Sequence, residues 1–299
     1  MQYQGRDIPE IKGKILFDEV LAPYTSFRVG GPADILAVPE REEDLCALLE
    51  WAHGGGIPVM VLGGGYNLLV SDKGVRGLVV KLGSGFDRID IEGVTITAGA
   101  SAKLPVLVDT ATSAGLSGLE GLTGVPGTVG GAVYMNAGTR FGYVEDTLQF
   151  VRAVHMTGAR LKIEAGDLGL AYRESRIAEK GLVITEAVFR LREGSRDDIR
   201  ARCAELLERR KLQPCTVGTA GSTFKNPPGG YAGKCIEEAG GKGMRVGGAE
   251  VSTMHANFFF NVDNATASDI RALITKVQEM VRERLGVELQ TEVQIVGEW

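Results

Sequence analysis

The sequence lacks any cysteine or histidine spacing that would hold a metal. Its four cysteines (Cys46, Cys203, Cys215 and Cys235) include no CxxC pair, which argues against a zinc ribbon or a redox dithiol. The histidines (His53, His155, His255) are scattered, so no protein-built metal centre is expected. No run approaches the ~20 apolar residues of a membrane span. Residues 1–7 carry no apolar core of a signal peptide. No membrane association is therefore expected, and a cytoplasmic location with reduced thiols is. An excess of basic charge is also missing. The net charge of −5 offers no global field for nucleic acid, although local Arg and Lys groups can still bind small anions.

What the chain has in quantity is glycine, 42 residues in clusters without a collagen-like period. Clustered glycines between apolar runs suggest tight turns or close approach of backbone to a ligand. Apolar runs at 35–38, 59–62, 77–82, 94–98, 150–155, 182–191, 257–262 and 292–296 predict strands. Helical spacing predicts helices over 42–53, 104–114, 196 to about 212, 233–239 and 267–285, the third with Ile199, Cys203, Leu206 and Leu207 on one face. The mixture indicates an α+β chain. Two sub-lobes are expected at about 1–80 and 81–194, with a further domain over 195–299.

Gly63-Gly64-Gly65-Tyr66-Asn67 follows a predicted strand. Three glycines without side-chain bulk let backbone N–H groups converge on an anion such as a pyrophosphate. The segment does not open a helix and no Gly-Lys-Ser/Thr follows, so it is neither a dinucleotide fingerprint of the GxGxxG kind nor a P-loop. A plain tight turn is the alternative. The second glycine stretch, from Gly115 to Gly138, puts small apolar residues between its glycines and has little of the Ser and charge of an exposed linker. A backbone laid flat against a large planar ligand is expected there, with a structural loop as the alternative. Two such loops from separated segments could grip one extended dinucleotide.

Six ordered stretches stand out together. They are 24–34 (Tyr24-Thr25-Ser26-Phe27-Arg28-Val29-Gly30-Gly31-Pro32-Ala33-Asp34), 62–70 around the glycine triplet, and 121–138 with Pro126-Gly127-Thr128. Tyr172-Arg173-Glu174-Ser175-Arg176, the Gly-Ser-Thr-Phe-Lys-Asn-Pro at 221–227, and 292–297 complete the set. In this order they resemble one family, the UDP-N-acetylenolpyruvoylglucosamine reductases. Little chain separates Arg176 from Ser222, which resembles the shorter, second type of the family. The chain departs from the family pattern at Tyr24, at Tyr66 (usually Ser) and at Gln294 (Arg in some members).

The resemblance implies an FAD-binding fold of the vanillyl-alcohol-oxidase type over 1–194 and a substrate-binding domain over 195–299, whose last strand carries a glutamate. It implies NADPH as co-substrate, FAD as cofactor and a nucleotide-sugar substrate, with a monomer expected. FAD would be held by Leu62, Gly63, Gly64, Gly65, Tyr66, Asn67, Gly121, Gly124, Val125, Pro126, Gly127, Thr128, Gly130, Gly131, Ala132 and Val183. Ser222 would donate a proton. Arg173, with Arg176 as its rival, would polarise a developing enolate, since a guanidinium fork suits a carboxylate. Glu292 would act there as a protonated or hydrogen-bond-sharing acid. Lys225, Asn226 and Arg210 would bind substrate, although Arg209-Arg210-Lys211 equally fits a solvated helix end. A flavin oxidase acting on another substrate and a non-enzymatic nucleotide binder are the alternatives. Neither needs Ser222 together with Glu292.

Overall fold

The computed structural model describes residues 7–211, 213–214 and 218–299. Cys215, Leu212 and residues 1–6 lie outside the described residues. The fold is α+β, as expected. Its helices are α1 (Glu42–Gly54), α2 (Leu104–Ser113), α3 (Val129–Tyr134), α4 (Arg196–Lys211), α5 (Ala232–Glu238) and α6 (Ala267–Leu285).

One four-stranded sheet has the spatial order Gly13–Val20, Pro32–Pro39, Val75–Val80, Val59–Val61, and its last two strands are parallel. A five-stranded sheet has the order Arg160–Glu164, Leu148–His155, Leu182–Arg190, Thr95–Gly99, Ile89–Glu92, antiparallel throughout. Helix α1 lays Leu45, Leu48, Leu49 and Ala52 at helical spacing against Ile35, Ala37, Leu78 and Val80. Helices α2 and α3 cover a second core with Ile96, Ala98, Ala187 and Phe189 of the five-stranded sheet. Burying each of the Leu, Ile, Val and Phe side chains is worth about 1.5–3 kcal/mol, which is why the periodicity locates α1 and α2.

The chain folds as two compact units. The first comprises the described part of Met1–Phe17, with Ile35–Gly64 and Gly77–Arg210; the second comprises Asp18–Asp34, Gly65–Arg76 and the described part of Lys211–Trp299. Compactness thus divides the chain differently from the expected functional boundary at 194/195. Most of α4 joins the first unit, and two early segments join the second.

In the second unit, α6 spans the residues its pattern predicts. Thr266 and Asp269 form a reciprocal capping box and Gly286 (φ +68°) ends the helix in the left-handed region. Its buried face (Ile270, Leu273, Ile274, Val277, Val281) packs with Ile236 of α5 and with Phe224 and Phe259. The strand Gln294–Val296 pairs in parallel with Leu68–Val70, so the chain terminus is sewn to the segment following the glycine triplet.

Two local expectations are corrected. Leu207 does not share a buried face with Ile199: it is exposed, and Ile199 alone of α4 is buried, because α4 is polar nearly all round. The glycine-rich stretch from Gly115 to Gly138, for which no helix was expected, is the second. It contains α3, started by Thr128, whose hydroxyl accepts the Gly131 amide at 3.3 Å.

Candidate active site and cofactor loops

Ser222 lies in an extended segment of the second unit, bridged to Phe258 on one side, while Phe224 two residues on is bridged to Thr291 on the other. The Thr223 amide donates to the Asn257 carbonyl at 2.8 Å. The Thr223 carbonyl accepts from the amides of Glu292 (2.8 Å) and Val293 (3.3 Å). Ser222 and Glu292 therefore sit on neighbouring backbone segments tied through one peptide group. Glu292 precedes the strand Gln294–Val296 instead of lying in it. Its carbonyl accepts the Asn67 side-chain amide at 3.0 Å, and the Asn67 carbonyl accepts the Gln294 amide at 2.9 Å. Asn67, expected on the cofactor, thus also fixes the glutamate segment. Gln294 turns its own amide toward the Glu292 carbonyl at 3.4 Å.

The geometry of this segment comes from its apolar neighbours. Phe224 is buried edge-on against Phe259, with ring centroids 5.8 Å apart. Asn257, which sequence reasoning missed, clasps the Phe224 backbone with its buried side chain. Its only sequence signal was a polar residue opening an aromatic strand. His255 stacks edge-on against Phe258 at 5.0 Å, and burial pushes its imidazole below the ordinary histidine range. Asn226, expected on substrate, is exposed and accepts the Ala232 amide at 3.1 Å, which places its side-chain oxygen at the start of α5. Lys225 follows in the same segment, its amide donating to the Gln290 carbonyl at 2.9 Å.

In the first unit, Arg173 occupies a turn closed by reciprocal Ala171–Glu174 hydrogen bonds. Its φ of +58° is rare for a side chain of this size and marks a position held for a reason other than local preference. Its guanidinium donates to the Gly138 carbonyl at 2.9 Å, and Asn136, itself at φ +40°, donates to the Ala171 carbonyl at 3.0 Å. The arginine turn is thereby docked on the C-terminal end of the second glycine stretch. Arg176 is different: it is exposed and pairs with Glu179 at 3.1 Å.

The two glycine stretches meet inside the first unit. A Cβ on Gly63 would come within 3.1 Å of Thr128 Oγ1 and 4.0 Å of Gly131 Cα. Lys81 follows the strand Val75–Val80, and its ammonium donates to the Gly63 carbonyl at 3.3 Å; burial pushes its pKa below the ordinary lysine value. Leu62 and Ala132 are buried beside these glycines. Farther along, several glycines are required by the chain itself. Gly121 faces the backbone of Gly142, Gly124 faces the Arg210 side chain, and Gly130 lies against Ala100. At these three positions the missing side chain is accounted for by chain packed against chain. Arg210 donates to the Thr123 carbonyl at 2.7 Å and so braces the same loop, while Arg209 pairs with Glu205. Val125, Gly127 and Thr128 are half-buried and Pro126 is exposed, whereas Val183 is buried in the core around α1. Gly64 ends one segment of the first unit, and Gly65, with Tyr66 exposed beside it, begins a segment of the second.

Among the described residues no group of three or more His, Cys, Asp or Glu could hold a metal ion, and no helix is long and apolar enough to cross a membrane.

Residues 213–296 match the family model described as UDP-N-acetylenolpyruvoylglucosamine reductase, C-terminal domain, and residues 33–164 match an FAD binding domain. A UDP-N-acetylenolpyruvoylglucosamine reductase of Rubrobacter xylanophilus is 45% identical over 94% of this chain and 95% of its own length. One from Phenylobacterium zucineum is 45% identical over 97% of both. The crystal structure of the Thermus caldophilus UDP-N-acetylenolpyruvylglucosamine reductase superposes with a TM-score of 0.83 at 40% identity, covering 96% of this chain and 99% of that one. Similarity of this depth over nearly the whole length settles the family: the chain belongs to the UDP-N-acetylenolpyruvoylglucosamine reductases.

Proposed function

We propose that the protein reduces the enolpyruvyl ether of UDP-N-acetylglucosamine to UDP-N-acetylmuramate, a step of peptidoglycan synthesis, with FAD as cofactor and NADPH as reductant. The observation that carries this is the tie between Ser222 and Glu292 through the Thr223 carbonyl, in a chain of this family. It brings a hydroxyl and a carboxyl onto adjacent segments, which the reaction uses and simple nucleotide binding does not.

The residues of the glycine junction fit a phosphate-bearing cofactor. Gly63 has no Cβ where one would crowd Thr128 Oγ1, and the Lys81 ammonium sits at the same place. Gly63, Gly64, Thr128 and Gly131 would hold the diphosphate, and the remaining residues of the two loops the rest of FAD. When bound, FAD relays hydride from NADPH to one vinyl carbon of the substrate. Negative charge then grows on the attached carboxylate as an enolate. Arg173 is assigned to that carboxylate, because donors preorganised toward developing charge are usually the largest single catalytic term. Ser222 delivers a proton to the neighbouring carbon, general acid catalysis worth ~10²–10⁴-fold. Glu292 shares a hydrogen bond with the enol oxygen. Lys225, Arg210 and Asn226 are assigned to the nucleotide part of the substrate, Arg210 also bracing the glycine loop and Asn226 also meeting the start of α5. The functional division, FAD binding over 1–194 and substrate binding over 195–299, is part of the same reading, as are action as a monomer and location in the cytoplasm.

The test is spectroscopic. The purified protein is expected to be yellow, to bleach with NADPH under anaerobic conditions, and to regain its colour when the enolpyruvyl nucleotide is added. A protein that bleaches and stays bleached with that nucleotide has another substrate.

A further inference from the structure

Lys81 stands in an unusual setting. It is half-buried, directly after a strand whose parallel neighbour Val59–Val61 leads into Gly63. Ligands of α/β sheets gather at such carboxyl ends of parallel strands. The Leu62 amide donates to the Val80 carbonyl at 2.8 Å, so the two exits are locked side by side. Lys81 Nζ then reaches the Gly63 carbonyl at 3.3 Å. Gly63 in turn abuts Thr128 and Gly131 of the second loop. No carboxylate of the described residues pairs with the ammonium, and the Gly63 carbonyl is its hydrogen-bond acceptor. A partly buried charge ordinarily has a counter-charge, because desolvation without one is costly. A surface lysine would instead leave its head in water. The cation reaches the junction where Gly63 of the first glycine loop meets Thr128 and Gly131 of the second.

We propose that Lys81 is the cationic anchor of the FAD diphosphate, placed by the strand pair so that its ammonium and the glycine-loop amides share the same phosphate oxygens. The assignment rests on the flavin-dependent function proposed above and adds to it a residue outside both glycine motifs. A lysine serves here as a compact point charge, and an arginine in its place keeps the charge.

The experiment removes flavin from the purified protein and titrates the apoprotein with FAD and, separately, with riboflavin, which has the ring without phosphates. Flavin fluorescence gives both dissociation constants for wild type, Lys81→Met and Lys81→Arg, and circular dichroism verifies the fold. Losing one charge-assisted contact is expected to weaken FAD binding by Lys81→Met roughly 10- to 100-fold. Riboflavin binding should stay at the wild-type value, and Lys81→Arg should recover most of the FAD affinity. If Lys81→Met fails to fold, Lys81→Gln is measured in its place. FAD binding by the neutral variant equal to wild type overturns the proposal. So does an equal loss for riboflavin, which would put the lysine at the ring. A wild-type protein that takes up neither flavin would instead overturn the function itself.

Discussion

Asn257 clasps Phe224 from both sides: its Oδ1 accepts the Phe224 amide at 2.9 Å and its Nδ2 donates to the Phe224 carbonyl at 2.8 Å. Both bonds are buried, and they fix the segment that carries Ser222 two residues away. Asn257→Ala leaves two buried backbone groups without these partners, at roughly 1–3 kcal/mol each. Chemical denaturation is expected to show a loss of at least that of one group. A variant within 0.5 kcal/mol or so of wild type would mean that the clasp contributes little, since ~0.5 is the usual range of neutral surface changes.

The rivalry between Arg173 and Arg176 is one that kinetics can decide. Arg173 is held at φ +58° with its guanidinium on Gly138, whereas Arg176 is exposed with Glu179. Arg173→Lys is expected to lower kcat/KM for the nucleotide by about 10²-fold or more, in the range for loss of a donor to developing charge. Flavin reduction by NADPH should be little changed. Arg176→Ala should stay close to wild type, as exposed pairs contribute about 0–1 kcal/mol. The reverse ranking would exchange the two roles.

The glycines differ in why they are glycine. A Cβ at Gly121 would lie 2.6 to 2.7 Å from three backbone atoms of Gly142, where no side chain can yield. Gly121→Ala is expected to lower stability by about 1–3 kcal/mol or more, the usual cost of overpacking. Gly54 at the end of α1 has nothing within 4 Å of its Cβ position. Gly54→Ala should be neutral or stabilising by up to ~1 kcal/mol. Thermal midpoints that move in the opposite order would contradict this distinction.

Much of the fold was legible because local signals and tertiary packing agree. Helix α6 shows both, with its capping box, its i, i+3, i+4 apolar face and its terminal glycine. Helix α3 was not legible, because Val-Gly-Gly-Ala-Val-Tyr has poor intrinsic propensity and forms only with its Thr128 cap and the surrounding core. The strand Gly13–Val20 was hidden by its charged residues, which an edge position tolerates. The pairing of Leu68–Val70 with Gln294–Val296 joins residues too far apart in sequence for any local pattern to reveal. The same limit applies to the site. Ser222 and Glu292 were nameable from motifs, but Asn257, Lys81 and the contact of Asn67 with Glu292 arise only from long-range packing.

Acid stability should carry the signature of Asp44. Two hydrogen bonds from Arg41 (2.7 and 2.9 Å) hold this buried carboxyl below the usual aspartate range; burial opposes the shift and the Lys12 amide at 3.2 Å assists it. A carboxyl lowered in the folded state adds stability above its unfolded pKa of about 3.9, and that increment is lost as pH falls through the lower folded value. Asp44→Asn should therefore be less stable than wild type at pH 7 by about 1–2 kcal/mol, with the solvent-exposed Arg41 partner keeping the figure small. The two stability curves should converge at a pH below the ordinary aspartate range. A gap that persists unchanged to that pH would assign the difference to packing.

The central claim is that Ser222 supplies the proton, and it is tested most directly by separating the two half-reactions in Ser222→Ala. Stopped-flow spectroscopy of the flavin follows first its reduction by NADPH and then its reoxidation by the enolpyruvyl nucleotide. Reduction is expected at the wild-type rate, with reoxidation slowed ~10²–10⁴-fold. Reoxidation at the wild-type rate, or equal slowing of both steps, would contradict the role given to Ser222.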